Sequence, residues 1–184
     1  MANLLSLKRR TRAAANVSKT TKAMQMIAIS KLKRAQNATV AGRPYVEKLS
    51  LISQNLSCKL DDKYTHEYLK KNNANKSLVL VLSPDKGLCG GLITNLIREL
   101  FNFDSQNKNC LYLTVGKKIE TAVASLQKEI IASFKFGTTL PSFDMVLTIT
   151  KIIDEYFLGK KVDSVKILST GFLSVFSQKP KVIN

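Results

Sequence analysis

Two residues of this sequence are candidates for nucleophilic or acid–base chemistry. Cys89 lies near Lys86 in a glycine-rich stretch, just before a segment with a helical pattern, and a helix N-terminus lowers the pKa of a thiol. Because no base lies beside it, we interpret Cys89 as a buried structural thiol. His66 is the single histidine, and its neighbours are charged, so we interpret it as a surface residue. The sequence therefore predicts no catalytic residues, no metal site and no cofactor.

The glycine-rich stretch "SPDKGLCGGL" is also a candidate phosphate site, because it joins an apolar run of strand length to a helical pattern. Its glycines, Gly87, Gly90 and Gly91, fit neither the dinucleotide-binding spacing nor the P-loop spacing. The next predicted strand provides no acidic residue for a ribose. We therefore predict that these glycines allow a sharp strand-to-helix turn and close packing.

The N-terminal quarter of the chain is strongly basic. Between Met1 and Val46 there are ten Lys and Arg residues and no Asp or Glu, in a chain of 184 residues with a net charge of +16. Such an asymmetry indicates an acidic partner, which can be a nucleic acid, an anionic membrane or an acidic protein surface.

The same basic segment has a helical pattern. Neither Gly nor Pro occurs between Asn3 and Thr39, and good helix formers dominate. Small and apolar residues recur every three or four positions and form one stripe. The stripe consists of Ala14, Val17, Thr21, Met24, Ala28, Leu32, Ala35 and Ala38. Small side chains let two helices approach closely, so we expect a partner helix. A basic helix packed on the chain's own domain is the alternative.

The helical pattern has a softer point at Gly42 and Pro44 and then resumes. A basic nucleic-acid-binding module is the second class of function that the charge allows. The segment lacks the interleaved aromatic residues of single-strand binders, a helix-turn-helix and leucine heptads. Nucleic-acid binding therefore stays as the alternative function.

The rest of the chain alternates between strand and helix patterns, which predicts an α/β fold. We expect a small sheet of four or five strands with helices, in a Rossmann-like order. The predicted strands are residues 77–82, 110–115, 129–136, 162–170 and 172–178. The predicted organisation is a long helical segment at 1–57, a polar linker at 58–76 and an α/β domain at 77–184.

Cysteine usage and hydropathy limit the location of the protein. Cys58, Cys89 and Cys110 have unrelated spacings, so we expect a reducing compartment rather than disulfides or a zinc site. No apolar run is long enough to cross a membrane and no secretory segment is present, which predicts a soluble or peripheral protein.

Several blocks of the sequence closely resemble the γ subunit of F-type ATP synthase, in the same order. They are "NVSKTTKAMQMIAISKLKRAQ", "GRPYVEKL", "VLVLSPDKGLCGGLITNL", "PSFDMVLTI…EYFLG" and "VDSVKILSTGFLSVFSQKPKVIN". The resemblance implies a non-catalytic rotor shaft that couples proton flow to ATP synthesis. Its N-terminal helix would form half of an antiparallel coiled coil inside the ring of α and β subunits. The α/β domain would be a foot that meets the ε subunit and the membrane c-ring. We expect a peripheral position at the cytoplasmic face of a bacterial plasma membrane, without membrane insertion.

The resemblance also implies roles for individual residues. The expected shaft contacts to the α and β subunits are Arg9, Lys19, Thr21, Lys22, Met24, Met26, Lys31 and Arg34. The expected shaft–foot junction consists of Lys86, Gly87, Cys89, Gly90 and Gly91. An acid-free surface would turn past acidic loops of the β subunits without being held by directed ion pairs.

Two departures from the family pattern are visible. Lys86 stands where an arginine is usual, which keeps the charge but loses the planar guanidinium. The sequence also ends at Asn184, whereas the family continues into a second shaft helix. We therefore expect a truncated gene, a fragment, or one half of a split subunit whose second helix is encoded separately.

Overall fold

The computed structural model describes residues 3–59, 66–137, 141–174 and 176–183. The chain divides into two units, Met1–Asp61 and Asp62–Asn184. The described part of the first unit is one α-helix, α1 (Leu4–Lys59), of 56 residues. The second unit is an α/β domain around a five-stranded sheet. The predicted fold class, a small α/β domain preceded by one long helix, is confirmed.

Helix α1 begins at an asparagine cap and runs through the predicted soft point. Asn3 accepts a hydrogen bond on its Oδ1 from the backbone N–H of Leu5, at 3.2 Å, which satisfies one of the unpaired N–H groups of the first turn. The helix continues through Gly42 and Pro44 to Lys59. Pro44 removes one backbone hydrogen bond, and the helix formers on both sides keep the remaining ones.

The α/β domain begins with a short 3₁₀ turn at Glu67–Leu69. Its elements follow as β1 (Ser77–Leu82), α2 (Leu92–Gln106), β2 (Cys110–Val115), α3 (Lys117–Ser125), β3 (Ile130–Phe134), α4 (Phe143–Leu158), β4 (Ser164–Phe172) and β5 (Gln178–Ile183). The strand order is β3-β2-β1-β4-β5, which is the predicted Rossmann-like order. The first four strands are parallel, and β5 is antiparallel to β4.

Both faces of the sheet are covered by helices, which explains why its central strands are continuous apolar runs. In β1, Val79 and Val81 pack in a cluster with residues of α2 and α3. Leu78 and Leu80 point to the other face and pack in a cluster with Ile149 of α4. All four β1 residues are buried.

The last predicted strand is wrong. Residues 172–178 were expected to be extended because they are apolar, but β4 ends at Phe172 and the chain then turns. The backbone N–H of Leu173 donates to the carbonyl oxygen of Ser177 at 3.1 Å, and β5 starts at Gln178. The polar β5 pairs here because an edge strand has a single neighbour and tolerates Lys and Pro.

The three- and four-residue spacing of the apolar positions 146, 149, 153 and 157 predicts one packing face for α4, and the structure differs from it by one residue. Val146 is 48% exposed, whereas Met145 packs against the core together with Ile149 and Ile153. Asp144 lies in the first turn, as expected for an acidic residue near the positive end of a helix.

Candidate interaction surfaces

The first candidate surface is the small-residue stripe of α1, whose members are the eight residues from Ala14 to Ala38 given above. Thr21 and Met24, which the family resemblance assigns to subunit contacts, belong to this stripe. The hydroxyl of Thr21 donates to the carbonyl oxygen of Val17 at 2.8 Å, so its hydrogen-bonding capacity is used within the helix. Val17 is 64% exposed and Met24 is 62% exposed. The stripe is therefore an apolar surface, and the described part of its unit contains no second element to cover it.

Most of the other predicted contact residues do not share a face with the stripe. Lys19, Lys22 and Met26 are spaced three and four apart, and a turn of about 100° per residue places them roughly opposite the stripe. Arg9 and Arg34 lie between these two faces, whereas Lys31, seven residues after Met24, lies at the edge of the stripe. The eight predicted contact residues are thus distributed around the helix.

The second candidate surface is the glycine loop, which we define as residues 86–91 between β1 and α2. Gly90 has a φ of +60°, which glycine adopts at low cost, so a turn role fits this residue. A Cβ atom at Gly87 or Gly90 would meet no described atom within 4 Å. The expectation of close packing is therefore wrong for these two glycines, which shape an exposed loop instead.

The thiol of the glycine loop is not placed for nucleophilic chemistry. Helix α2 begins at Leu92 with Gly91 as its N-cap, so Cys89 lies outside the first turn, where the partial positive charge of a helix acts. Cys89 is half-buried rather than buried, which corrects the expected burial. Lys86 is exposed at the start of the loop.

Leu88, in the middle of the glycine loop, has an unusual conformation. Its φ is +62° and its side chain is fully exposed. A non-glycine residue in this region costs on the order of 1 kcal/mol or more, so the surrounding structure must hold it there. The loop has a defined shape, and its apolar side chain points to solvent.

Asp85 directly precedes the glycine loop and fixes its start, a role that was not predicted from the sequence. Its Oδ1 accepts from the backbone N–H of Lys117, the first residue of α3, at 3.0 Å. Its Oδ2 accepts from the backbone N–H of Gly137, after β3, at 2.6 Å. The signal in the sequence was an acidic residue three positions after a central strand, where neighbouring loops of a parallel sheet converge.

His66 is a surface residue, as predicted. It is exposed, its Nδ1 accepts from the backbone N–H of Tyr68 at 3.4 Å, and the two rings are stacked with centroids 5.2 Å apart. The Tyr68 hydroxyl donates to Asp154 of α4 at 2.5 Å, and this hydrogen bond raises the pKa of Tyr68.

The second half of the predicted linker is bonded to the α/β domain. Asn72 donates from its Nδ2 to the carbonyl oxygens of Phe157, at 2.7 Å, and Val162, at 3.0 Å. Residues 60–65 of the linker lie outside the described residues. The part of the linker from His66 onward is attached to the end of α4.

A polar cluster formed by buried Tyr112 and half-buried Asp104 and Lys128 has a structural role. The Tyr112 hydroxyl donates to Asp104 at 2.8 Å, and Asp104 pairs with Lys128 at 3.0 Å. Burial raises the pKa of Tyr112, and the hydrogen bond to Asp104 raises it further. Burial also raises the pKa of Cys110. Both groups stay protonated at neutral pH, which fits a packed core.

The described residues contain no group of three or more His, Cys, Asp and Glu side chains that could hold a metal ion. Among the described helices, none is long and apolar enough to cross a membrane.

Comparison with known proteins identifies relatives over almost the whole chain. The family model for ATP synthase matches residues 3–184. The ATP synthase gamma chain of Dehalococcoides mccartyi is 34% identical over 182 residues, which are 98% of this chain and 64% of that protein. The gamma chain of Akkermansia muciniphila is 32% identical over 180 residues, 98% of this chain and 60% of that protein. The chain thus spans less than two thirds of the length of these relatives.

Solved structures share the fold. The rotor of the Euglena gracilis mitochondrial ATP synthase matches with a TM-score of 0.65 and 18% identity, over 97% of this chain and 62% of that chain. The central stalk and c-ring structure of the Tetrahymena thermophila enzyme matches with a TM-score of 0.67 and 22% identity, over 89% and 70%. These matches give no support to the nucleic-acid-binding alternative. On the family match and the sequence identities, the chain belongs to the ATP synthase gamma chain family.

Proposed function

We propose that this chain is the central rotor-shaft subunit of an F-type proton-transporting ATP synthase, and that it couples proton flow to ATP synthesis by rotating inside the ring of α and β subunits. The observation that carries the proposal is the exposed small-residue stripe on a helix that has no Asp or Glu before Glu47. A helix of 56 residues is about 84 Å long at 1.5 Å per residue. Few helices of globular proteins approach this length, and it suits an element that works inside a larger assembly.

In this proposal the stripe is one side of an antiparallel coiled coil. Its alanines let a second helix approach closely, and Val17, Met24 and Leu32 supply the larger side chains that fill the seam. The in-helix hydrogen bond of Thr21 keeps a donor out of that seam. The partner is the second shaft helix that the family resemblance implies.

The outward face of the shaft carries Lys19 and Lys22 opposite the stripe. Ion pairs between exposed side chains contribute about 0–1 kcal/mol each, and salt screens them. The segment from Met1 to Val46 has no carboxylate, so acidic loops of β subunits meet cations in every orientation. Such a surface attracts the ring and gives no single orientation a strong preference, which suits rotation.

The α/β domain would act as the foot, with residues 1–57 as the shaft, 58–76 as the link and 77–184 as the foot. The foot would contact the ε subunit and the membrane c-ring at the cytoplasmic face of a bacterial plasma membrane. Lys86 and the rest of the glycine loop would form the shaft–foot junction. The subunit would have no catalytic residues and no cofactor of its own.

Co-expression with α and β subunits tests the proposal. The chain and a peptide of a relative's C-terminal shaft helix should co-purify with the ring subunits. Ala28→Glu, on the stripe, should weaken binding of the peptide by about tenfold or more, because it places a charge in the seam. Ser30→Glu adds the same charge on the opposite face and should leave peptide binding unchanged, which makes it the matched control.

Two outcomes would contradict the shaft proposal. One is equal weakening by both variants, which would show that the stripe is not the seam. The other is tight, salt-sensitive binding of duplex DNA without any association with α and β, which would favour the nucleic-acid-binding alternative. Weak DNA binding alone would not distinguish the two, because a chain with a charge of +16 binds phosphate non-specifically.

A further inference from the structure

We infer that Asp85 is a positioning residue that fixes the backbone of the glycine loop, and so orders the proposed shaft–foot junction. The role of the loop in the rotor rests on the proposed function. The positioning by Asp85 rests on the geometry of the α/β domain alone.

Three connecting loops meet at Asp85, at the edge of the sheet where the parallel strands end. Its carboxylate belongs to the β1–α2 loop and accepts one N–H from the β2–α3 connection and one from the segment after β3. Hydrogen bonds from backbone N–H groups to a carboxylate are stronger than those between neutral groups. One side chain therefore ties together the exits of three adjacent strands.

The backbone beside Asp85 is tightly packed, so the start of the glycine loop is rigid. Ser83 is buried, and its N–H donates to the carbonyl oxygen of Val115 at 2.8 Å. Gly116 donates to the carbonyl oxygen of Phe134 at 2.8 Å, and a Cβ atom on Gly116 would lie 2.1 Å from the carbonyl oxygen of Ser83. The chain thus enters the glycine loop from a fixed position.

Beyond Asp85, the glycine loop has few other constraints. Gly87 and Gly90 have open space around them, and Leu88 is fully exposed with a positive φ. At the far end, the backbone N–H of Leu92 donates to the carbonyl oxygen of Cys89 at 3.4 Å. A costly conformation in an exposed loop persists only if its anchors define it, and the carboxylate of Asp85 is the polar anchor at the start.

The same geometry assigns the carboxylate of Asp85 to an internal role. Both of its oxygens are engaged by backbone N–H groups, one of them at the N-terminus of α3, where a helix favours a negative charge. In a sheet with this strand order, that edge is the usual place for a ligand. Here the carboxylate of Asp85 is the anion at the first turn of α3.

NMR relaxation of the full ¹⁵N-labelled chain tests the positioning. Residues 86–90 should have backbone order parameters near those of rigid structure, about 0.85, in the parent chain, and below about 0.6 in Asp85→Ala. Asp85→Asn should give an intermediate loss, because an amide oxygen can accept one N–H while its NH₂ group opposes the other. Amide exchange at Lys117 and Gly137 should accelerate in both variants.

Glu120→Gln is the matched control, because it removes an acidic residue from the first turn of the same helix without touching the glycine loop. It should leave the order of residues 86–90 unchanged. A loop that is already disordered in the parent chain would overturn the inference. So would an Asp85→Ala chain that melts at a lower temperature while its loop stays ordered, since Asp85 would then only stabilise the domain. If Asp85→Ala does not fold, Asp85→Asn decides between these outcomes.

The assembled enzyme tests the consequence for the rotor. With the second shaft helix supplied, Asp85→Ala should lower the number of protons pumped per ATP hydrolysed, and Glu120→Gln should not. Normal coupling with a disordered loop would overturn the functional part of the inference. Failure of the parent chain to assemble would instead contradict the proposed function, and the NMR result would still decide the positioning role.

Discussion

Helix α1 and the α/β domain are stabilised by different interactions. Four consecutive residues of β1 are buried between two layers of helices, whereas all but two of the described side chains of α1 are exposed. The domain has a core of its own. The helix has strong local propensity and an apolar stripe that no described element of its own unit covers. The domain is therefore stabilised by its own core, whereas the described part of α1 has no core within its unit.

Hydrogen exchange should show the largest difference between the two regions. In a verified monomer of the chain, amides of α1 between Asn3 and Thr39 should exchange at least about a thousandfold faster than those of Leu78–Val81. Core strands open only by global unfolding, whereas a helix without tertiary contacts frays. Adding a peptide of the second shaft helix should slow exchange along the stripe. Equal protection of α1 and β1 in the monomer would contradict this expected difference and indicate that the helix packs on its own domain.

Removing a large side chain should destabilise one region and not the other. Leu100→Ala, in the core of the domain, should lower the free energy of unfolding by about 3 kcal/mol, because it leaves a cavity. Leu32→Ala, in the stripe, should change it by less than about 0.5 kcal/mol, since Leu32 is 40% exposed and alanine favours helix. Denaturant unfolding followed by tyrosine fluorescence measures both. A similar loss in the two variants would mean that the stripe is already buried within the chain.

Replacing glycine by alanine should have opposite signs in the two regions. Gly116→Ala should destabilise the domain by about 2 kcal/mol or more, because its φ is +110° and the new Cβ atom would overlap the carbonyl oxygen of Ser83. Gly42→Ala meets open space inside a helix and should stabilise α1 by about 1 kcal/mol. Circular dichroism at 222 nm should show higher helicity for Gly42→Ala. A loss of helicity would mean that Gly42 has a conformational role in α1.

Alkaline pH should destabilise the domain through Tyr112, and this effect should be absent at neutral pH. The pKa of Tyr112 is higher in the folded state than its ordinary value near 10, because the phenol is buried and bonded to Asp104. Its contribution to stability is therefore full below about pH 10 and is lost as pH rises toward the folded-state pKa. Absorbance at 295 nm should show one tyrosine that ionises only as the domain unfolds. Tyr112→Phe should remove that step, and its persistence would assign the step to another tyrosine.

The sequence predicted the interior of the fold well. The bounds expected for β1 and β2 agree with the structure, because strands buried on both faces are uninterrupted apolar runs between breakers. The long helix was equally visible in its composition. The family resemblance identified the γ chain family from motifs, which composition and periodicity alone do not reveal.

The parts that sequence reasoning missed depend on contacts between distant residues. Strand β5 is polar and contains Pro180, and only its pairing with β4 makes it a strand. The role of Asp85 depends on Lys117 and Gly137, which are 32 and 52 positions away. Which residues of α1 contact other subunits remains a prediction from the resemblance, because an exposed helix presents every face.

The lack of carboxylates in α1 before Glu47 also bears on how the unassembled chain would behave. A newly made helix with an apolar stripe would be expected to pair with a second copy of itself. Two copies side by side would bring together two sets of ten cations, with no acidic residue between Met1 and Val46 to offset them. Charge repulsion therefore opposes self-association through the stripe. Under the proposed function, the charge that suits the shaft to its ring would also oppose aggregation of the unassembled chain.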